Sequence, residues 1–101
     1  MTIREATKKP VTIECMQFTD KVSALEIEKW VEVSNEILLE LYYDENGLTD
    51  KSFFSIQTYA GELIANLGYW IIRKDQGEFY PCKPDIFEAT YDLHEVSEVK
   101  E

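Results

Sequence analysis

Five residues between positions 69 and 83 have side chains suited to gripping a small anion: Tyr69, Trp70, Arg73, Tyr80 and Lys83. The aromatic rings offer flat stacking faces, and Arg73 and Lys83 offer positive charge. Pro84 suits the first position of a helix, where free backbone N–H groups point at a ligand and favour negative charge. Together these groups fit a nucleotide or a similar phosphate-bearing molecule. Strand alternation places Tyr69, Ile71 and Arg73 on one face and Trp70 and Ile72 on the other. A plainer job also suits the stretch. Tyr80, Pro81, Pro84 and Phe87 would fasten the last helix to the sheet, because aromatics in a small domain usually belong to its core.

A second constellation is acidic. From Glu26 to Asp50 there are eight acidic residues against one lysine. Glu28 and Glu32 are one helical turn apart and are expected on an exposed face, and Glu40 projects from the polar side of a strand. Such a row can imitate nucleic-acid phosphates and occupy a basic groove on another protein, or it can serve as a solvated face that keeps the chain in solution. The remaining reactive side chains form no catalytic set. His94 stands alone near the acidic C-terminus, with no orienting partner or nucleophile in view. Cys82, beside Lys83 and a helix start, is placed for a lowered thiol pKa but lacks the rest of a nucleophilic site. Cys15 reads as a packing residue. Asp44-Glu45-Asn46-Gly47 is a hairpin turn and lacks calcium-loop spacing. No enzyme, metal site or cofactor is expected.

The chain has 101 residues and a net charge of −10, with thirteen aromatics (six Tyr, five Phe, two Trp). It is expected to form a single domain over 1–101, with 1–9 and 95–101 as frayed tails. The charge argues against direct nucleic-acid binding, which calls for a basic surface. No membrane span or apolar signal region is read, so the expected location is the cytoplasm, with reduced cysteines. Residues 67–86 differ from the rest, with three acids (Asp75, Glu78, Asp85) balanced by three bases (Arg73, Lys74, Lys83).

The elements that position these residues follow from periodicity. A strand is predicted over Val11–Phe18, buried on both faces or bulged. Ser23 is predicted to cap a helix running to about Val33, with Glu26 completing a capping box and Val22 and Ile27 a hydrophobic staple. Leu25, Ile27, Trp30, Val31 and Val33 form its expected inner face. Strands are predicted over Glu36–Tyr43, Phe53–Tyr59 and Leu63–Ala65, the last two joined by a turn at Ala60-Gly61-Glu62. A hairpin follows, with Tyr69–Arg73 and Glu78–Tyr80 joined by Lys74-Asp75-Gln76-Gly77. Pro81 is expected to end its ladder. Ile86, Phe87, Thr90 and Tyr91 then recur at helical spacing, with helix to about Leu93. The predicted class is α+β: a curved, mainly antiparallel sheet, as a roll or partly open small barrel, packed with one main helix and a short C-terminal helix. A ubiquitin-like roll is the nearest alternative.

The segment Gly77-Glu78-Phe79-Tyr80-Pro81-Cys82-Lys83-Pro84-Asp85-Ile86-Phe87-Glu88-Ala89-Thr90-Tyr91 closely resembles the C-terminal signature of a family of small phage and prophage accessory proteins, GEFYPCKPDIFEKTY. Lys8-Lys9-Pro10-Val11-Thr12-Ile13-Glu14 and Gln17-Phe18 loosely resemble that family's first strand. Where the family has Pro-Gly-Asp-Tyr, this chain has Leu67-Gly68-Tyr69-Trp70; the glycine is kept and an acid is replaced by an aromatic. The resemblance implies a phage accessory gene, and such proteins often blunt host defences. Three expectations follow. The first is a counter-defence protein that sequesters a nucleotide-like signalling molecule through Tyr69, Trp70, Arg73, Tyr80 and Lys83, in one pocket or across a homo-oligomer. The second is an inhibitor that docks Glu28, Glu32 and Glu40 on a nucleic-acid-handling host defence protein. The third is a structural or regulatory phage component.

Overall fold

A computed structural model of the protein describes residues 3–5, 12–59, 61–74 and 77–93. Its elements are β1 (Glu14–Gln17), α1 (Lys21–Glu32), β2 (Ile37–Glu40), β3 (Tyr43–Asp44), β4 (Gly47–Leu48), β5 (Phe53–Thr58), β6 (Gly61–Asn66), β7 (Trp70–Arg73), β8 (Phe79–Cys82) and α2 (Pro84–Thr90). The strands form two three-stranded sheets, β1-β7-β8 and β2-β5-β6, and the small hairpin β3-β4; all pairings are antiparallel. This is the expected α+β class with a main helix and a short C-terminal one.

The main helix begins three residues before the predicted cap. Asp20 is the N-cap, and its carboxylate accepts from the Ser23 N–H at 2.8 Å. Ser23, at the third helical position, closes the box by accepting from the Asp20 N–H at 3.0 Å. A serine hydroxyl therefore fills the role assigned to Glu26. The inner face is narrower than expected, because residues two apart on a helix point to opposite sides. Ala24, Ile27 and Val31 are buried, whereas Leu25 and Val33 are exposed.

One core gathers Phe18, Ala24, Ile27, Val31, Phe54, Ile56, Ala65, Ile71 and Phe79. It lies between α1 and the inner faces of the two sheets. Phe18 meets Phe54 edge-on at 4.7 Å, and Trp30 meets Phe79 edge-on at 4.9 Å. Burial of each large apolar side chain contributes about 1.5–3 kcal/mol. Ile37, Leu39 and Leu41 pack against this core as alternation requires, but Tyr43 does not. The predicted strand 36–43 stops at Glu40, and Tyr43-Asp44 turns into its own hairpin with Gly47-Leu48. Ser52 anchors the base of that hairpin: its buried hydroxyl accepts from the Tyr42 N–H at 2.9 Å.

β1 shows no bulge; Met16 packs on the core, while Cys15 and Gln17 on the other face are half-buried, so the strand is not buried on both faces. Gly61 and Glu62, predicted as turn, already belong to β6. Pro81 does not end its ladder, because β8 continues through Pro81 opposite Ile71 to Cys82 opposite Trp70. The Lys74 N–H donates to the Glu78 carbonyl at 2.8 Å. Hydrogen-bonded pairs alternate along an antiparallel ladder, so Ile71–Pro81 is a non-hydrogen-bonded pair and the missing N–H faces away from β7. On that side β8 runs beside β6 without pairing to it. A proline at this position leaves the middle of β8 without the N–H that a ladder toward β6 would use. α2 stops at Thr90, short of the predicted Leu93, and of its apolar residues Phe87 is buried while Ile86 is exposed. His94, residues 95–101 and residues 8–11 lie outside the described residues.

Candidate functional site

The outer face of the β1-β7-β8 sheet carries Trp70, Ile72, Cys15, Cys82 and Tyr80, by register. α2 lies over it. Phe87 stacks on Trp70 with ring centroids 4.1 Å apart and planes at 5°, and Tyr91 follows Phe87 at 5.3 Å. Tyr80 donates its hydroxyl to Glu78 at 2.8 Å, and the Lys74 ammonium sits 4.9 Å over its ring. The hydrogen bond to Glu78, with help from that carboxylate's charge, pushes the Tyr80 phenol above its ordinary pKa.

The five anion-gripping candidates divide over two faces. Tyr69 packs toward the core. Arg73 lies on the side of Phe79 and Glu14 and forms an ion pair with Glu14 at 3.1 Å. Trp70 and Tyr80 face the other way, and one face of the Trp70 ring is taken by Phe87. Lys83 is exposed at the start of α2, beyond Cys82, whose partner is Trp70. Arg73 is three strand steps from Trp70, about 10 Å away, so the two cations mark opposite ends of the hairpin. α2 has only seven residues and its cap has no side-chain hydrogen bond. A groove of about 410 Å³ between the turn after α1, the β5–β6 turn and the hairpin includes Tyr80, but none of the other four candidates.

The Cys82 thiol differs from expectation. Burial pushes the Cys82 thiol above its ordinary pKa, and the Asp85 carboxylate adds to the rise. Asp85 stands in the first turn of α2. Burial raises Cys15 as well. The two cysteines are free and lie two strands apart, across β7. Among the described residues, no cluster of three or more His, Cys, Asp or Glu could hold a metal ion.

The acidic candidates are also spread. Glu32 is exposed on α1, Glu28 is half-buried one turn before it, and Glu40 is half-buried on β2. Glu40 accepts from the Tyr42 hydroxyl at 3.3 Å. Its neighbours across the sheet become clear only from the register. On the outer face of β2-β5-β6, Leu38, Ser55 and Ile64 form one row. Glu40, Phe53 and Asn66 form the next row. On the other side Gln57 lies between Glu62 and Glu36, the latter accepting the Gln57 N–H at 3.0 Å. Leu38 and Ile64 remain 54% and 42% exposed, while Ser55 between them is 4% exposed and donates to the Glu62 carboxylate. The result is an apolar centre with carboxylates at three corners and no basic side chain among these positions. Glu36, Leu38, Phe53, Glu62 and Ile64 were missed as site residues. The signal was the shared acidic–apolar alternation of Glu36-x-Leu38-x-Glu40 and Glu62-x-Ile64, which becomes a patch only when β5 aligns the two strands.

No protein-family model, curated protein or solved structure matches the chain. The family expectation therefore rests on the motif residues 77–91. Among the described residues, no helix is long and apolar enough to cross a membrane.

Proposed function

We propose that the chain is a phage-type accessory protein that acts by binding in the host cytoplasm, docking the outer face of β2-β5-β6 on a basic protein. The observation that carries this reading is the cross-strand patch, in which Glu36, Glu40 and Glu62 surround Leu38, Phe53 and Ile64. Carboxylates arranged around an apolar centre suit a partner whose Arg and Lys side chains flank its own apolar residues. A nucleic-acid-handling defence enzyme presents such a groove, and the −10 charge of the chain favours fast encounter with it. The partner would be blocked where its nucleic acid normally sits. Sequestration of a nucleotide-like molecule draws less from the geometry, because its residues are divided over two faces.

Titration with a basic amphipathic Leu/Arg peptide, followed by amide NMR, tests the docking face. Shifts should concentrate at Leu38, Ser55 and Ile64. Affinity should fall about tenfold or more from about 0.05 M to about 0.3 M salt. Glu40→Lys with Glu62→Lys should abolish the response, while Glu28→Lys with Glu32→Lys should weaken it modestly. Salt-independent binding, or shifts spread evenly over all acidic surfaces, would overturn the reading.

A further inference from the structure

The solvent side of α1 carries a different pattern. Val22, Leu25 and Val33 are 65%, 43% and 85% exposed. With Lys29 they recur at i, i+3, i+7 and i+11, which is one stripe along a helix at 100° per residue. The stripe lies opposite the buried Ala24, Ile27 and Val31. Charges of both signs flank it, Lys21 with Glu26 and Glu32, around the Lys29 within it. Among the described residues none of these four forms an ion pair.

We infer that this stripe is a self-association surface and that its occupant is α1 of a second copy, packed antiparallel about a twofold axis. Antiparallel packing sets Val22 of one copy against Val33 of the other. It sets Glu26 against Lys29 and brings Lys21 within a turn of Glu32, and each of these contacts occurs twice by symmetry. Leu25 then lies along the aliphatic stem of Lys29 of the second copy. Parallel packing fails on the same residues, since it would put Lys29 beside Lys29 and Glu32 beside Glu32. The β2-β5-β6 patch cannot serve this purpose, because two copies would face each other with carboxylates only. The seam is short: twelve residues of α1 span about 18 Å. It is smaller than a standard interface and is opposed by the like net charge of the two copies. The association is therefore weak and concentration-dependent.

Sedimentation of the full chain over a concentration series tests the inference. The expected result is an average mass rising from 11.8 kDa toward twice that value. Lys29→Glu should weaken association about tenfold or more, and Glu26→Lys combined with Lys29→Glu should restore it. Helical circular dichroism of each variant, unchanged from the parent, confirms that only the surface was altered. A chain that stays monomeric throughout the series would overturn the inference. So would a dimer indifferent to Lys29→Glu, or one lost instead through Glu40→Lys.

Discussion

The two sheets share a core but finish their outer faces in opposite ways. On β1-β7-β8 the outward side chains are Trp70, Ile72, Tyr80, Gln17 and the two cysteines, and α2 covers the Trp70 end with Phe87 flat on its ring. On β2-β5-β6 the outward positions alternate apolar residues with carboxylates, and Leu38 and Ile64 stay exposed. The contrast shows how a small domain separates stability from recognition. An aromatic outer face needs its own cover and gets it from a seven-residue helix too short to stand alone. A face with acid at its corners remains hydrated without cover, so its apolar centre is left for a partner.

Removing the cover should give the largest effect. Phe87→Ala deletes a ring that is 3% exposed and stacked on Trp70, and should cost about 3–5 kcal/mol in chemical denaturation. A loss below about 1 kcal/mol would mean that α2 merely rests on the sheet. Next comes Cys82, which borders the covered face. Its thiol pKa is raised, so the reactive thiolate is scarcer than in a free cysteine at neutral pH. Alkylation should be several-fold slower than for a free thiol at neutral pH, should keep accelerating above the ordinary thiol range, and should speed up in Phe87→Ala. A rate that levels off near neutral pH would point to a lowered pKa and break this side of the comparison. The smallest effect belongs to the open face. Leu38→Ser and Ile64→Ser should each shift stability by no more than about 0.5 kcal/mol, read from the same denaturation midpoint. A loss near that of Phe87→Ala would show that the open face supports the fold.

Local patterns were the legible part of this chain. Alternation located β2 and its inward Ile37 and Leu39, and the Gly-containing turns located both long hairpins. The helix was evident from Ser23 to about Val33, but its cap lies at Asp20. Asp20 and Ser23 are both good caps, and only the hydrogen bonds show which one leads. Leu25 and Val33, expected inside, each stand two residues from a buried position, which on a helix is the opposite side, and so they join the outer stripe of α1. The acidic candidates illustrate a different limit. Glu40 was recognisable from its own strand, but its nearness to Phe53, Ile64 and Glu62 depends on how three strands align, which no single strand encodes. For the aromatic and basic candidates, alternation already separated Tyr69 from Trp70. The stacking of Phe87, which occupies one face of the Trp70 indole, depends on where α2 folds back.

Pro81 has a mechanical consequence. β8 and β6 run side by side with no ladder between them, so this line is one of the open edges between the two sheets. Parting the two sheets there breaks no ladder, whereas parting two strands within either sheet does. The domain thus has a joint along this edge, and an imino acid helps to keep it free of backbone pairing.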